Sequence, residues 1–231
     1  MKYKIELHSH TSECDKVAKL SGSELVNEYR AAGYSGIVIT DHYFSLFFEW
    51  FRDELCLSDH KGIIERYLRG YYSALEEGEK TGFTVLPGAE VRFDNTVNDY
   101  LVFGLEARDF FEMPLLNSLK DVNELIGVLP EYALVVQAHP FRKNMMVCDP
   151  KPLFGIEVYN GGTSDFRNKM AKMYAEHYGK AMTSGSDVHS EKALAKGGIA
   201  TDHSIKSSAD LVRVLHSGEY SLIETNRQRN F

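Results

Sequence analysis

The stretch "HSHTSECD", His8–Asp15, puts two imidazoles two residues apart and a carboxylate five residues beyond the second. It continues directly from "YKIELH", a short run with the alternation of a β-strand. Residues i and i+2 of an extended chain project to the same face, so His8 and His10 leave the end of that strand side by side. Paired imidazoles do not serve an apolar core, and a surface has no need of them in this order. The fold and the function both turn on whether other strand ends carry matching side chains.

They do. "GIVITDH" ends in Asp41 and His42, "TVLPGAEVRF" carries Glu90 and Arg92, and "LVVQAHP" ends in His139. "GIEVYN" carries Glu157 with Tyr159 and Asn160, and "AMTSGSDVH" runs into Asp187 and His189. "DYLVFGL" is a further strand candidate. Helical patterns lie between them. "SGSELVNEYRAAGY" has Ser21 or Ser23 as N-cap and Gly33 as stop. "HKGIIERYLRGYYSALEEGEKTG" reads as one amphipathic helix with Ile64, Tyr67, Leu68, Tyr71 and Leu75 on its apolar face. "TSDFRNKMAKMYAEHYGK" and "SSADLVRVLHSGEY" are two more. Strand and helix in repeated alternation predict a largely parallel sheet, or a barrel with helices outside. No linker, repeat or low-complexity segment interrupts the pattern, so residues 1–231 read as a single domain. In a parallel α/β barrel the C-terminal strand ends open on one side, and these polar residues are expected to meet there.

Composition narrows the function. With 43% hydrophobic and 26% charged residues the chain is an ordinary globular protein, and its net charge of −7 argues against stable binding along a nucleic-acid backbone. No apolar run approaches the length of a membrane span. Cys14, Cys56 and Cys148 are odd in number and far apart, which is no disulfide framework. With no apolar leader after Met1, a cytoplasmic location is expected. A single strand-end His is commonly hydrogen-bonded to backbone, and an Asp-His pair is commonly turn chemistry. Five histidines and several carboxylates at strand ends are different, because together they require a counter-ion. Imidazole and carboxylate are the ligands of zinc, manganese and iron, so the set points to metal.

Taken in order, HxH (His8, His10), Asp15, "TDH" (Asp41, His42), "PGAEV" (Glu90), "AHP" (His139), "EVYN" and "GSDVH" (Asp187, His189) resemble the polymerase and histidinol phosphatase (PHP) family. The resemblance runs from about Ile5 to His189. It implies a distorted (β/α)7 barrel, TIM-like, holding two or three divalent ions (Zn, Mn or Fe). One ion would take His8, His10, Glu90 and Asp187; a second would share Glu90 and take His139; a third would take Asp15, His42 and His189. Cys14 is the alternative donor beside Asp15. In the strand after the bridging glutamate, Asp99 stands where many members have a histidine ligand to the second ion, and it is expected to take that place as an oxygen donor.

The implied activity is metal-dependent hydrolysis of a phosphate ester by a metal-bridging hydroxide, with Glu90, Asp187 and His139 at the reacting centre. The expected substrate is a small phosphomonoester or a nucleotide, with an oligonucleotide end as a further candidate. Arg142 and Arg92 are the candidate phosphate contacts, the guanidinium fork matching that anion. Arg92 alternatively pairs with Glu90. Glu157 and Asn160 are expected to support the ligands, and Asp41 to orient His42 or neighbouring strand ends. The aromatic run Tyr43 to Phe51 is expected to pack on the core rather than to form a lid. An amidohydrolase-like metal hydrolase and a catalytically silent PHP module are the competing readings.

Overall fold

The computed structural model describes residues 1–225, and most of its short strands carry valine, isoleucine or leucine. In chain order the strands are β1 (Tyr3–Glu6), β2 (Gly36–Ile39), β3 (His42–Tyr43), β4 (Thr84–Pro87), β5 (Ala89–Val91) and β6 (Tyr100–Phe103). They continue with β7 (Leu134–Gln137), β8 (Gly155–Asn160), β9 (Ala181–Gly185), β10 (Ile199–Thr201) and β11 (Tyr220–Leu222). The helices are α1 (Gly22–Ala31), α2 (Ser45–Trp50), α3 (Arg52–Leu55), α4 (His60–Tyr67) and α5 (Arg69–Thr81). After them come α6 (Asp109–Glu112), α7 (Val122–Val128), α8 (Asp165–Tyr178) and α9 (Ser208–Ser217).

The strands form a mixed α/β fold with two sheets, ordered β11-β10-β1-β2-β4 and β3-β5-β6-β7-β8-β9. Pairs β1–β2, β2–β4, β3–β5, β7–β8 and β8–β9 are parallel. β6, however, is antiparallel to both β5 and β7, which departs from the parallel pattern expected. The segment 92–99 between β5 and β6 is shorter than the dozen or more residues a parallel crossover requires, so the chain turns back on itself. β10 and β11 add an antiparallel edge beside β1.

Local chemistry sets the helix ends. Ser21 accepts from the Glu24 amide while the Glu24 carboxylate accepts from the Ser21 amide, a capping box that starts α1. The long helix expected after His60 is interrupted at Leu68, where ψ is 1°, and continues as α5. The first turn of α5 then passes so close to the strand ends that a Cβ on Gly70 would lie 2.6 Å from Asp41 Oδ2. The aromatic run divides. Phe47 is fully buried with Tyr67 and Ile64 in the larger core, and Phe48 and Phe51 pack partly buried against it. Among the described residues no helix is long and apolar enough to cross a membrane.

Two seams join the sheets. Ser9, beyond β1, forms a parallel bridge with Val188, beyond β9, and the Asp187 amide donates to His8 O at 3.0 Å. On the other side β2 runs through Thr40 and Asp41 into β3, and the Glu90 amide donates to Asp41 O at 3.1 Å. Glu6 fastens the first seam. Its buried carboxylate accepts from the amides of Leu7, His8 and Ser186 and from the hydroxyls of Ser186 and Tyr29. Asp41 does the same at the second, accepting from the Thr11 amide at 2.6 Å and the Thr11 hydroxyl at 2.8 Å.

Candidate metal centre

The two seams carry the polar strand ends into one place. His8 and His10 follow β1, His42 begins β3, Glu90 lies in β5, His139 follows β7, and Asp187 and His189 follow β9. Asp15 arrives from the turn after Thr11, its amide donating to Thr11 O. Two of these residues have left-handed backbone, His139 with φ 27° and Asp187 with φ 53°. Non-glycine residues seldom accept that conformation, and where they do it commonly serves to aim a functional side chain.

Among the described residues four groups of donor atoms lie within 4.8 Å of one another: His8, His10 and Asp187; His10, Asp15, His42 and His189; Glu90, Asp99 and His139; and His8, His139 and Glu157. The distances in the first group, extended by Glu90, are informative. His8 Nε2 stands 3.4 Å from Glu90 Oε1 and 3.6 Å from Asp187 Oδ1. His10 Nε2 stands 3.4 Å from Glu90 Oε2 and 3.3 Å from Asp187 Oδ1. Donors around a tetrahedral ion with bonds of ~2.0–2.2 Å are separated by about 3.3–3.6 Å. Hydrogen-bonded partners would be closer.

The burial of these atoms makes the same point. His8 Nε2, both ring nitrogens of His10, Glu90 Oε2 and Asp187 Oδ1 are buried without a well-directed hydrogen bond among the described residues. Apart from Glu90 Oε2, which has His42 Nε2 at 2.9 Å, these are uncompensated polar atoms converging in one buried place, costly in an empty protein and accounted for by a bound cation. The residues therefore fit divalent ions.

Electrostatics follows from this crowding. Burial disfavours charge on Glu90, but His8, His42 and a hydrogen bond from His139 outweigh it and hold the carboxylate well below its usual range. Asp187 behaves likewise beside His8 and His10. His10, buried and flanked by His42 and His189, is pushed down to about 3 and is a neutral donor at physiological pH. Burial lowers His42, yet the Glu90 and Asp15 carboxylates raise it to about 10. In the metal-free protein His42 thus holds a proton that an ion would replace.

Support comes from a further shell of residues. Glu157 Oε1 accepts from His8 Nδ1 at 2.8 Å, and Oε2 accepts from the His139 amide and from Asn160 Nδ2. Asn160 also donates to Asp187 Oδ2. Asp41 orders the Thr11 turn rather than the His42 ring. Cys14 is turned away from Asp15, its Sγ donating to Tyr67 O at 2.8 Å, which leaves Asp15 as the donor facing His42 at 2.9 Å and His189 at 3.1 Å.

Both arginines meet Asp99. Arg92 grips Asp99, Nε to Oδ1 at 2.5 Å and Nη2 to Oδ2 at 2.7 Å, and does not pair with Glu90. Because β5 and β6 are antiparallel with Val91 opposite Tyr100, Arg92 and Asp99 are cross-strand neighbours. Arg142 reaches Asp99 Oδ2 at 3.2 Å and Asp187 Oδ2 at 3.3 Å. Glu6 was not legible as part of this architecture, although its place two residues before His8 in "ELHSH" is the signal that marks it.

Known proteins share this fold. A family model described as PHP-associated matches residues 166–220. A two-domain protein from Bacteroides vulgatus, containing a predicted PHP-like metal-dependent phosphoesterase, superposes with TM-score 0.70 at 17% identity, over 96% of this chain and 64% of that one. Endonuclease Q, in complex with a duplex bearing an abasic lesion, gives 0.60 at 15% identity over 94% of this chain and 57% of that one. An amidohydrolase from Chromobacterium violaceum, holding sulfate and no metal, gives 0.54 at 16% identity over 81% and 88%. No curated protein sequence matches the chain. The chain thus spans under two thirds of the first of these relatives. The family match and the shared fold bear out the resemblance to the PHP family.

Proposed function

We propose that this protein is a metal-dependent phosphoesterase. One ion would be held by His8, His10, Glu90 and Asp187, and another by Asp15, His42 and His189, with His139 against Glu90. Divalent ions in such a set lower the pKa of water and polarise a phosphoryl oxygen. The chain's own residues do the rest. Glu157 and Asn160 fix the donors, and the depressed carboxylates of Glu90 and Asp187 stay ionised. Arg142 and Arg92, each about one-third exposed, offer guanidinium groups to an incoming anion. A phosphate presents several charged oxygens that a guanidinium fork can pair with, whereas a neutral amide offers a single uncharged carbonyl oxygen, and this favours a phosphoester over an amidohydrolase substrate. A small phosphomonoester or nucleotide is the proposed substrate, with an oligonucleotide end next.

The buried, unpartnered donor atoms at ligand-to-ligand spacing carry the reading. Two observations support the fuller fold: the Ser9–Val188 bridge and the β2-to-β3 continuation join the sheets edge to edge. Counting β2 with β3 and β4 with β5 gives seven strands, which supports reading the chain as a single domain built on a distorted (β/α)7 barrel. The test is hydrolysis of 4-nitrophenyl phosphate, bis(4-nitrophenyl) phosphate and 4-nitroacetanilide by protein reloaded with Mn or Zn. Release from a phosphate ester, abolished in His10→Ala, is expected. Release from the anilide alone would replace the reading with the amidohydrolase one. No release from any substrate by fully loaded protein would favour the silent module.

A further inference from the structure

Asp99 offers a test of how many ions the centre holds. It belongs geometrically to the group Glu90, Asp99 and His139, and at 1% exposure it is as buried as the others. Yet its oxygens are not among the buried atoms left without partners. Arg92 occupies both oxygens with a fork, and Arg142 adds a bond to Oδ2. The oxygen 3.8 Å from His139 Nε2 is that same Oδ2, already contacted by two guanidiniums. His139 Nε2 in turn is 2.9 Å from Glu90 Oε1.

The Asp15 group also contains internal contacts, but of another kind. There the partners of the carboxylate are imidazoles, His42 at 2.9 Å and His189 at 3.1 Å, which become ligands by giving up a proton. A guanidinium does not deprotonate in a protein. An ion bound by Asp99 would have to displace a bidentate arginine and then lie beside two fixed positive charges. The donor set at this position does not fit a divalent ion.

We propose that Asp99 is not a metal ligand but the buried anchor of a two-arginine clamp, in which Arg92 and Arg142 stand in place of a third ion. The centre then binds two ions, and the clamp receives an oxyanion beside them. Asp99 is a positioning residue: it holds two half-buried side chains against the wall of the centre, with their remaining N–H groups directed at phosphate. Arg142 connects the clamp to the ions through Asp187, at 3.3 Å. This inference rests on the reading of the site as a metal centre acting on phosphate.

The experiment combines elemental analysis with calorimetric titration of inorganic phosphate into metal-loaded protein, for wild type, Asp99→Asn, Arg92→Gln and Arg142→Gln. Two ions per chain are expected in the wild type, in Asp99→Asn and in Arg142→Gln. Phosphate affinity should fall on the order of tenfold to a hundredfold in each variant, from loss of charge-assisted hydrogen bonds. Arg142→Gln, at a partly exposed position, keeps the test informative if substitution at Asp99 prevents folding. Three ions in the wild type, falling to two in Asp99→Asn, would overturn the proposal. So would unchanged phosphate affinity in both arginine variants. One ion in the wild type would overturn the proposal alone, and none would overturn it together with the metal reading. Two ions and a working clamp without hydrolysis of any ester would leave the clamp standing and remove the phosphoesterase alone.

Discussion

Glu157 Oε1 and His8 Nδ1 are 2.8 Å apart, fully buried, and this contact decides which nitrogen His8 presents to the centre. With Nδ1 held by the Glu157 carboxylate, Nε2 is the nitrogen that faces Glu90 and Asp187, where an ion would replace its proton. The other Glu157 oxygen receives the His139 amide at 3.0 Å and Asn160 at 3.0 Å. One carboxylate thus sets two histidines and, through Asn160, an aspartate.

Glu157→Gln keeps the shape and removes the charge, and its amide NH2 must face a donor. Loss of a partner that orients metal ligands typically costs 10–100-fold in metal affinity, and about that loss is expected here. Competition with a chromophoric chelator measures it. Wild-type affinity in the variant would mean that Glu157 only fills space.

Gly185 closes β9 where the chain passes under His8. A Cβ there would come 2.3 Å from His8 Cβ and 2.6 Å from Glu157 Oε1. Gly185→Ala is therefore expected to lower stability by roughly 1–3 kcal/mol and to weaken metal binding, because the intruding methyl moves the ligand and its partner together. Gly127, in α7 and exposed, has nothing within 4 Å of its Cβ position. Gly127→Ala should raise stability by about 0.5–1 kcal/mol and leave metal binding alone. Thermal melts of the two variants check the contrast, and similar losses in both would contradict it.

Much of the centre was legible because facing is a local property. Alternation along a strand says which residues share a side, and it brought His8 with His10 and Asp187 with His189. What alternation does not encode is which strand lies beside which, and in what direction. The antiparallel β6 set Arg92 opposite Asp99, a pairing fixed by register rather than by either residue's own pattern. Cys14 and Asp15 are adjacent in sequence, and only the close approach of Tyr67 from α4 turns the thiol to the core. Glu6 was hidden for a related reason. Its donors come from β1's own end, from α1 and from the residue after β9, which no single stretch brings into view.

Metal removal should expose a pH dependence that the loaded protein lacks. In the metal-free protein burial opposes charge on His42, but Glu90 and Asp15 raise it to about 10, from 6.5 in the unfolded chain. A raised histidine contributes stability that is fully present below the unfolded value and is lost as pH rises through the folded one. His8 and His189 are shifted in the same direction. Asp41, raised by burial to about 7, adds to the loss near the start of that window, since its neutral form is the one the fold prefers. Asp15, Glu90 and Asp187 are held low and titrate below it. The melting temperature of chelator-treated protein should therefore fall from pH 6.5 to pH 10, and metal should flatten the curve. A flat profile without metal would remove the imidazolium–carboxylate pairing from the account.

The aromatic run after His42 divides into two tasks that substitution can separate. Phe47 is 1% exposed, its ring 5.6 Å from Tyr67 and 5.4 Å from Phe51, with no ring contact to the histidines among the described residues. Phe44 is also buried, but its ring lies 4.6 Å from His42 and 5.5 Å from the Arg92 guanidinium. Phe47→Ala should cost about 3–5 kcal/mol through the cavity it leaves, with the number of bound ions unchanged once the protein is folded. Phe44→Ala removes the surface against which His42 and Arg92 rest. Its effect should appear chiefly as weaker binding of metal and of phosphate, beyond what its change in melting temperature explains. Calorimetric titrations and melts of both variants decide the matter. If Phe44→Ala lost stability alone, the aromatic run would be core throughout.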